Sequence, residues 1–125
     1  MDVTPLISAN AMVIQGYARG GFRVSSQMHE GAVIVLPHQV VAWDAPTDIA
    51  DLSIDHFAEI LDTDSDVELI LLGCGEKMAL PPKALKQALR ERGVSLEAMD
   101  TGAACRTYNV LLADGRQLAA ALFPA

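Results

Sequence analysis

The sequence predicts an α/β domain. Three observations carry this prediction: a length of 125 residues, a first third rich in short strands and glycine turns, and later segments in which strands and helices alternate. A chain of this length normally folds as one domain, residues 1–125. Alternation at short spacing is typical of a sheet with right-handed crossovers. We therefore expect the β-rich N-terminal unit to cover one face of that sheet or to extend its edge.

Four strands are predicted in the first third. They cover residues 12–17, 22–26, 32–36 and 40–43. Residues 18–21 between the first two strands include two glycines, the usual signal of a hairpin. Pro37 ends the third strand, because proline has no amide hydrogen with which to continue a ladder.

Two amphipathic helices are predicted in the middle of the chain. In the first, residues 54–61, apolar side chains recur with the helical period, and Ser53 is a suitable N-cap. The second begins at Pro81 and Pro82, because proline fits the first helical turn, and it ends at Gly93.

The remaining elements complete the alternation. Residues 67–72 are apolar on both faces, which predicts a central strand. A short strand follows at residues 95–99, and Thr101 then caps a helix that runs to about Leu112. Residues 117–123 form the last strand.

Composition excludes several classes of function. The chain has 9 Lys and Arg against 16 Asp and Glu, and its formal charge is -7. A nucleic-acid binder needs a basic face, and an anionic membrane repels an acidic protein. Two cysteines and three histidines without a Cys-x-x-Cys pair predict no disulfide framework, metal or cofactor. With no signal peptide or apolar run of about eighteen residues, we expect a cytoplasmic protein with reduced cysteines.

Chemistry is expected beyond the carboxyl ends of the parallel strands. Two segments lie there, the turn at residues 73–77 and the helix start at residues 101–106, and we expect them to be neighbours. Amide groups of the turn, with Lys77, could hold an anion; a purely structural turn is the alternative. Arg106 could bind that anion. It could instead pair with Asp100, Glu97 or Glu76, or bond backbone carbonyls of the turn, since its helix is apolar nearly all round and predicted to be buried on both sides.

Three other residues of that helix carry specific expectations. Cys105 near the helix start is either a reactive thiol or a small buried side chain. Tyr108 is predicted to lie in the core with its hydroxyl bonded. Asn109 inside an apolar helix needs a partner, and we expect it to bond a neighbouring loop.

Three stretches resemble one small domain family. They are YARGGFRV…HEGAVIVLP…VVAW, then VELILLGCGEK, then MDTGAACRTYNVLLADGRQLAAALFP, from about Val13 to Pro124. The family is a long-uncharacterised domain family with archaeal and bacterial members. It includes the third mitochondrial complex I assembly factor and an adipogenesis-associated animal protein. Cys74 departs from the family pattern, which often has threonine or another small polar residue there, and this weakens any thiol mechanism at that position.

The resemblance has implications for fold and function. It implies three layers, with a mixed central sheet, a β-layer on one side and helices on the other. It also implies no established catalytic activity, and for the mitochondrial relative a role in assembling the matrix arm of complex I. Six residues match the family pattern: Gly73, Gly75, Thr101, Arg106, Tyr108 and Asn109.

We therefore expect a non-enzymatic interaction or assembly protein with an unidentified protein partner. The alternative is a small-molecule or anion-binding domain, or an enzyme, that uses the crevice between residues 73–77 and 101–106. Its candidate ligand residues are Gly73, Gly75, Glu76, Lys77, Thr101, Arg106 and Asn109. A thiol redox protein is a third hypothesis. A closed seam at the crevice would favour the first hypothesis, and an open polar cleft the second.

Overall fold

Eight strands form two sheets in the computed structural model, which describes residues 12–18, 20–62 and 66–125. The strands are β1 (Ile14–Ala18), β2 (Gly21–Val24), β3 (Gln27–Glu30), β4 (Val33–Leu36), β5 (Gln39–Ala42), β6 (Leu69–Gly73), β7 (Ser95–Met99) and β8 (Leu118–Leu122). The α-helices are α1 (Ala58–Leu61), α2 (Lys83–Glu91) and α3 (Thr101–Ala113), and two 3-10 turns cover Ile49–Asp51 and Ile54–Phe57.

The small sheet is antiparallel, in the order β1-β2-β3. Strand β3 was not predicted, because its side chains are mostly exposed and show no apolar alternation. The turn before it uses Ser25 and Ser26 at φ values of 46° and 70°, so β2 ends two residues earlier than expected. The predicted turn at residues 18–21 is tighter than expected, since Ala18 and Gly21 are paired strand residues. Arg19 lies outside the described residues.

The main sheet is mixed, in the order β5-β4-β8-β6-β7. Strands β8, β6 and β7 are parallel, whereas β4 runs antiparallel to both β8 and β5. Every residue of β6 and β8 is buried, as expected for central strands that are covered on both faces. The prediction of a central strand at residues 67–72 is confirmed, although the strand begins at Leu69 and extends to Gly73.

Two crossovers place helices on opposite faces of this sheet. Helix α2 links β6 to β7, and α3 links β7 back across β6 to β8. Crossovers of one hand that step in opposite directions must use opposite faces. Accordingly, α3 shares a face with the small sheet, while α1, α2 and the 3-10 turns cover the other face.

The predicted three layers are confirmed. The layer that was predicted to contain only strands also contains α3. Alternation along β4 shows why two cores form: Val33 and Val35 face α3, whereas Ile34 and Leu36 face α2. The hydrophobic side chains of both sheets and all three helices therefore bury against one central layer.

Helix starts differ in detail from the sequence predictions. The predicted helix at residues 54–61 begins as a 3-10 turn, and Ser53 is its N-cap as expected. Thr101 is the first residue of α3 rather than its cap; the cap is Asp100, whose Oδ1 accepts from the Ala103 amide at 2.8 Å. Helix α2 begins only after Pro82, which is its N-cap with an extended ψ of 138°. Pro81 is disfavoured from helical backbone because it precedes a proline.

Candidate functional site

The two predicted segments meet at the carboxyl edge of the main sheet. Gly73 at the end of β6 pairs with Met99 of β7 and with Leu122 of β8, so three parallel strands end together. One residue further on, the Cys74 amide donates to the Met99 carbonyl at 2.8 Å. The Thr101 amide donates to the Gly75 carbonyl, also at 2.8 Å. The prediction that these segments are neighbours is confirmed.

Thr101 joins these two segments, residues 73–77 and 101–106, and we call their line of contact the seam. Its side chain is fully buried. Its Oγ1 accepts a hydrogen bond from the Gly75 amide at 2.8 Å and donates one to the Phe123 carbonyl at 2.7 Å. One hydroxyl therefore joins the turn after β6, the start of α3 and the end of β8, and its donor is already used.

The two glycines of the turn are required by packing and backbone shape. A Cβ on Gly73 would lie 2.8 Å from Leu122 Cδ2 and 3.1 Å from the Thr101 Cα. Gly75 has φ +97°, a conformation that other residues rarely adopt. This geometry supports the structural interpretation of the turn, in which the glycines allow close approach of α3.

Most amides at the start of α3 have partners within the chain. The Thr101 amide bonds to Gly75, the Ala103 amide to the Asp100 carboxylate, and the Ala104 amide to the Asp100 carbonyl at 2.9 Å. The carboxylate complements the positive end of the helix dipole. An incoming anion at this helix start would meet the negative charge of Asp100.

Arg106 is exposed, and the prediction that it pairs with a carboxylate is wrong. Across residues 12–18, 20–62 and 66–125, no acidic side chain forms an ion pair with it. The reason is the position of α3, which packs on the main sheet and on β1 but leaves one side open. Val110, one turn beyond Arg106, is 61% exposed on that side. Burial of the helix on both sides was therefore the incorrect premise.

Tyr17 of β1 covers the first turn of α3. A Cβ on Gly102 would collide with the Tyr17 hydroxyl and lie 3.3 Å from Nη1 of Arg106. A glycine at this position therefore lets the tyrosine ring and the guanidinium group sit over the helix. Sequence reasoning missed this contact because 85 residues separate Tyr17 from Gly102 along the chain.

Asn109 ties the small sheet to α3. Its Oδ1 accepts from the Ile14 amide at 3.0 Å, and its Nδ2 donates to the Ile14 carbonyl at 2.6 Å. The expected partner was a loop, and the observed partner is strand β1. Both ends of the amide are thus bonded to the backbone of one residue.

The candidate residues fall into two groups by exposure. Glu76 and Lys77 at the tip of the turn are exposed, as is Arg106, whereas Gly73, Gly75 and Thr101 are buried. The buried members form the seam, and the charged members face solvent.

Both cysteines are free thiols, and burial opposes their ionisation. Burial raises the pKa of Cys105 to about 11, an effect that the nearby Arg106 charge reduces only in part. Burial also raises the pKa of Cys74, whose Sγ lies 3.5 Å from the Ala79 carbonyl oxygen. Neither thiol is a thiolate at neutral pH, so the interpretation of Cys105 as a small buried side chain is the one the geometry supports.

Tyr108 departs from its prediction in one respect. Its ring is fully buried in the core beside α3, as expected. Its hydroxyl, however, has no hydrogen-bond partner within the part of the chain that the structure describes, and burial raises its pKa. The prediction that the hydroxyl is bonded is therefore wrong for the described residues.

Comparison with known proteins identifies the family of the chain. Residues 14–123 match the family described as "Protein of unknown function (DUF498/DUF598)". The chain belongs to this family. The family assignment and the resemblance drawn from the sequence agree.

Named relatives and a solved structure extend this match. The chain is 33% identical to human NADH dehydrogenase [ubiquinone] 1 alpha subcomplex assembly factor 3, over 94% of the chain and 63% of the human protein. It is 36% identical to an uncharacterised protein of Rhodobacter capsulatus, over 93% of the chain and 87% of that protein. A crystal structure of a Bordetella parapertussis protein superposes with a TM-score of 0.84 at 29% identity, covering 94% of the chain and 99% of its own.

The chain spans less than two thirds of the human relative's length. No cluster of three His, Cys, Asp or Glu side chains suited to a metal ion occurs in the described ranges. Across the same ranges, none of the helices is both long and apolar enough to cross a bilayer.

Large apolar side chains surround the carboxyl edge. Met78 is 55% exposed and Leu80 is 81% exposed, in the loop between the seam and α2. Tyr17, over the first turn of α3, is also exposed. We call Tyr17, Met78 and Leu80 the edge surface. Sequence reasoning missed these residues, although methionine and leucine in a proline-flanked loop, outside any strand or helix period, are a usable signal of exposure.

Proposed function

We propose that this chain is a non-enzymatic protein that assists the assembly of an NADH dehydrogenase complex by binding a protein partner. The observation that carries the proposal is the 33% identity, over 94% of the chain, to a human protein named as such an assembly factor. Because the chain corresponds to 63% of that relative, the proposal concerns what this domain can supply, which is a contact surface.

The seam supports the non-enzymatic part of the proposal. Enzymatic acyl or group transfer needs an activated nucleophile with a base, or a metal. Here the Thr101 hydroxyl bonds to two backbone groups, the Asn109 amide bonds to Ile14, and both thiols are protonated at neutral pH. The buried hydroxyl of Thr101 and the half-buried amide of Asn109 are therefore used to hold the fold together.

The edge surface supports the proposal that the chain binds a protein partner. Tyrosine and methionine are enriched in protein interfaces, where a few apolar anchors supply most of the binding energy. Leu80 and Met78 project from a loop whose base is fixed to the seam by the Thr101 and Met99 backbone bonds. A rigid base with exposed apolar side chains suits a preorganised contact.

A second candidate function is the binding of a small anion in the crevice. The observation that favours it is Arg106, exposed beside the start of α3 without an acidic partner among the described residues. Asp100 opposes it, since its carboxylate already caps the helix. Titration with inorganic phosphate tests this candidate; we expect no heat of binding, whereas binding that Arg106→Ala abolishes would support it.

The cytoplasm is the proposed compartment. Two free thiols suit a reducing environment, where a bridge between cysteines would not persist. Fractionation of host cells with an antibody against the chain tests this; recovery with the secreted or periplasmic fraction would contradict it.

Deletion of the gene from its host tests the proposed function. We expect less assembled NADH dehydrogenase on native gels and lower NADH oxidation by membranes, with succinate oxidation unchanged. A complementing copy with Cys74→Ala, Glu76→Gln and Lys77→Gln should restore assembly, because no chemistry at the turn is required. Normal levels of the complex in the deletion strain would contradict the assembly role, and failure of the triple variant to complement would point to chemistry at the crevice.

A further inference from the structure

Positive charge is concentrated on α2. Residues 83–92 contain Lys83, Lys86, Arg90 and Arg92, four of the nine Lys and Arg of the chain. By contrast, residues 24–76 contain none, although they hold most of the acidic residues. In a protein of net charge -7, this helix is a local positive region.

The cations of α2 form one stripe on its outer side. Leu85 and Leu89 face the core, which leaves the opposite side to solvent. Spacings of three and four residues place Lys83, Lys86, Gln87 and Arg90 along that side. All four are exposed. We call these four residues the α2 stripe.

The stripe is not used within the fold. Among the residues that the structure describes, no carboxylate forms an ion pair with Lys83, Lys86 or Arg90. Acidic groups are abundant, since the chain has 16 of them, so the lack of pairing is not a shortage of partners. The three cations therefore keep their full capacity for an external ligand.

We propose that the α2 stripe binds an acidic segment of the protein partner. The stripe spans about 10 Å, from a rise of 1.5 Å per residue over seven residues. Carboxylates on one side of an extended segment recur about every 6–7 Å. The cations of the stripe are about 4.5–6 Å apart along the helix axis, and their long flexible side chains can span the difference. The inference rests on the proposed function for the nature of the partner as a protein.

Two observations favour a short acidic segment over other anions. An extended polyanion or an anionic membrane would face the acidic remainder of the chain, whereas a short segment contacts the stripe alone. The stripe also continues the edge surface, because Lys83 follows Leu80 by only three residues. An acidic segment with an apolar residue at one end would contact both the α2 stripe and the edge surface.

A labelled oligoglutamate peptide of about eight residues is the probe, followed by fluorescence anisotropy at low salt. Variant K86Q/R90Q removes two of the three cations of the stripe. Variant R23Q/R116Q is the matched control, since it removes two exposed cations elsewhere and leaves the same net charge. We expect the stripe variant to bind at least about tenfold more weakly than the parent, and the control to bind within about twofold. Circular dichroism of both variants checks that they are folded.

Four results would overturn the proposal. They are equal affinities of the two variants, no peptide binding by the parent, binding to phosphatidylserine vesicles without binding to the peptide, and a dimer in sedimentation that the stripe variant loses. The last would identify a second copy of the chain as the occupant. None of these readouts uses NADH dehydrogenase assembly, so failure of the stripe proposal and failure of the proposed function are distinguishable.

Discussion

Thr101 and Lys86 both lie on the elements that connect the parallel strands, but only one of them has its polar group bonded within the fold. The Thr101 hydroxyl is buried and holds two backbone groups of neighbouring segments. The Lys86 ammonium group is exposed and has no acidic partner in the described part of the chain. A polar group that the fold uses stabilises it, and one that the fold leaves unpaired is available for binding.

The comparison separates the seam, where the sequence predicted a ligand site, from α2, where it predicted only an amphipathic helix. The seam at the carboxyl edge is where α/β proteins commonly bind ligands, yet here its hydrogen bonds are internal. The outer side of α2, which begins three residues after Leu80 of the edge surface, carries the unpaired cations. Substitution of a polar group that is bonded within the fold should therefore lower stability, whereas substitution of an exposed, unpaired cation should leave it nearly unchanged.

Thr101→Val should produce the largest effect. The variant leaves the Gly75 amide and the Phe123 carbonyl without their hydroxyl partner in a buried site. We expect the free energy of unfolding to fall by about 3 kcal/mol, measured by urea denaturation. Thr107→Val on the same helix is the control and should change it by less than about 1 kcal/mol. If both variants lose the same free energy of unfolding, the hydrogen bonds of the Thr101 hydroxyl do not make a distinct contribution to stability.

Asn109→Ala should produce the next largest effect. Loss of two hydrogen bonds to Ile14 frees β1 from α3, and we expect a cost of about 2 kcal/mol. Hydrogen exchange of the Ile14 amide should accelerate, while exchange of the Ile70 amide in the main sheet should respond only to global stability. An unchanged Ile14 amide would show that the small sheet is held by other contacts.

The burial of Cys105 should make the stability of the fold depend on pH in the alkaline range. Its pKa rises from 9.0 to about 11 on folding, so between these values the unfolded chain loses a proton that the folded chain keeps. Stability should therefore be unaffected by this group below about pH 9 and should decrease as pH rises toward 11. Cys105→Ala should flatten part of that decrease in urea titrations across this range. Parallel pH profiles for parent and variant would contradict the assignment.

Arg106→Ala should produce the smallest effect. The side chain is exposed and lacks an acidic partner among the described residues, so we expect a change within about 0.5 kcal/mol in urea denaturation. A loss comparable to that of Thr101→Val would mean that Arg106 holds the crevice together after all.

Local patterns predicted most of the fold because they depend on near neighbours. The period of residues 54–61, the apolar strand at residues 67–72 and the proline-initiated α2 each carry their signal within ten residues or so. Strand β3 was missed for the same reason, since Gln27–Glu30 lies on an exposed edge and its turn uses two serines at positive φ instead of glycine.

The site was predicted less completely, because its decisive contacts are long-range. Asn109 bonds a residue 95 positions away, and Tyr17 fills the space above Gly102 from another sheet. The position of the seam followed from the rule that parallel strands end at one edge. The exposure of Arg106 did not, because an apolar helix gives no indication of which side its neighbours leave uncovered.

The most direct test of the account is the rescue of NADH dehydrogenase assembly in a strain that lacks the gene. The chain is supplied with either Leu80→Glu, on the edge surface, or Arg106→Ala, at the crevice. Both side chains are exposed, so both variants should fold like the parent. The account predicts that Arg106→Ala restores the complex on native gels and Leu80→Glu does not. Rescue by Leu80→Glu together with failure of Arg106→Ala would contradict it and would assign the function to the crevice.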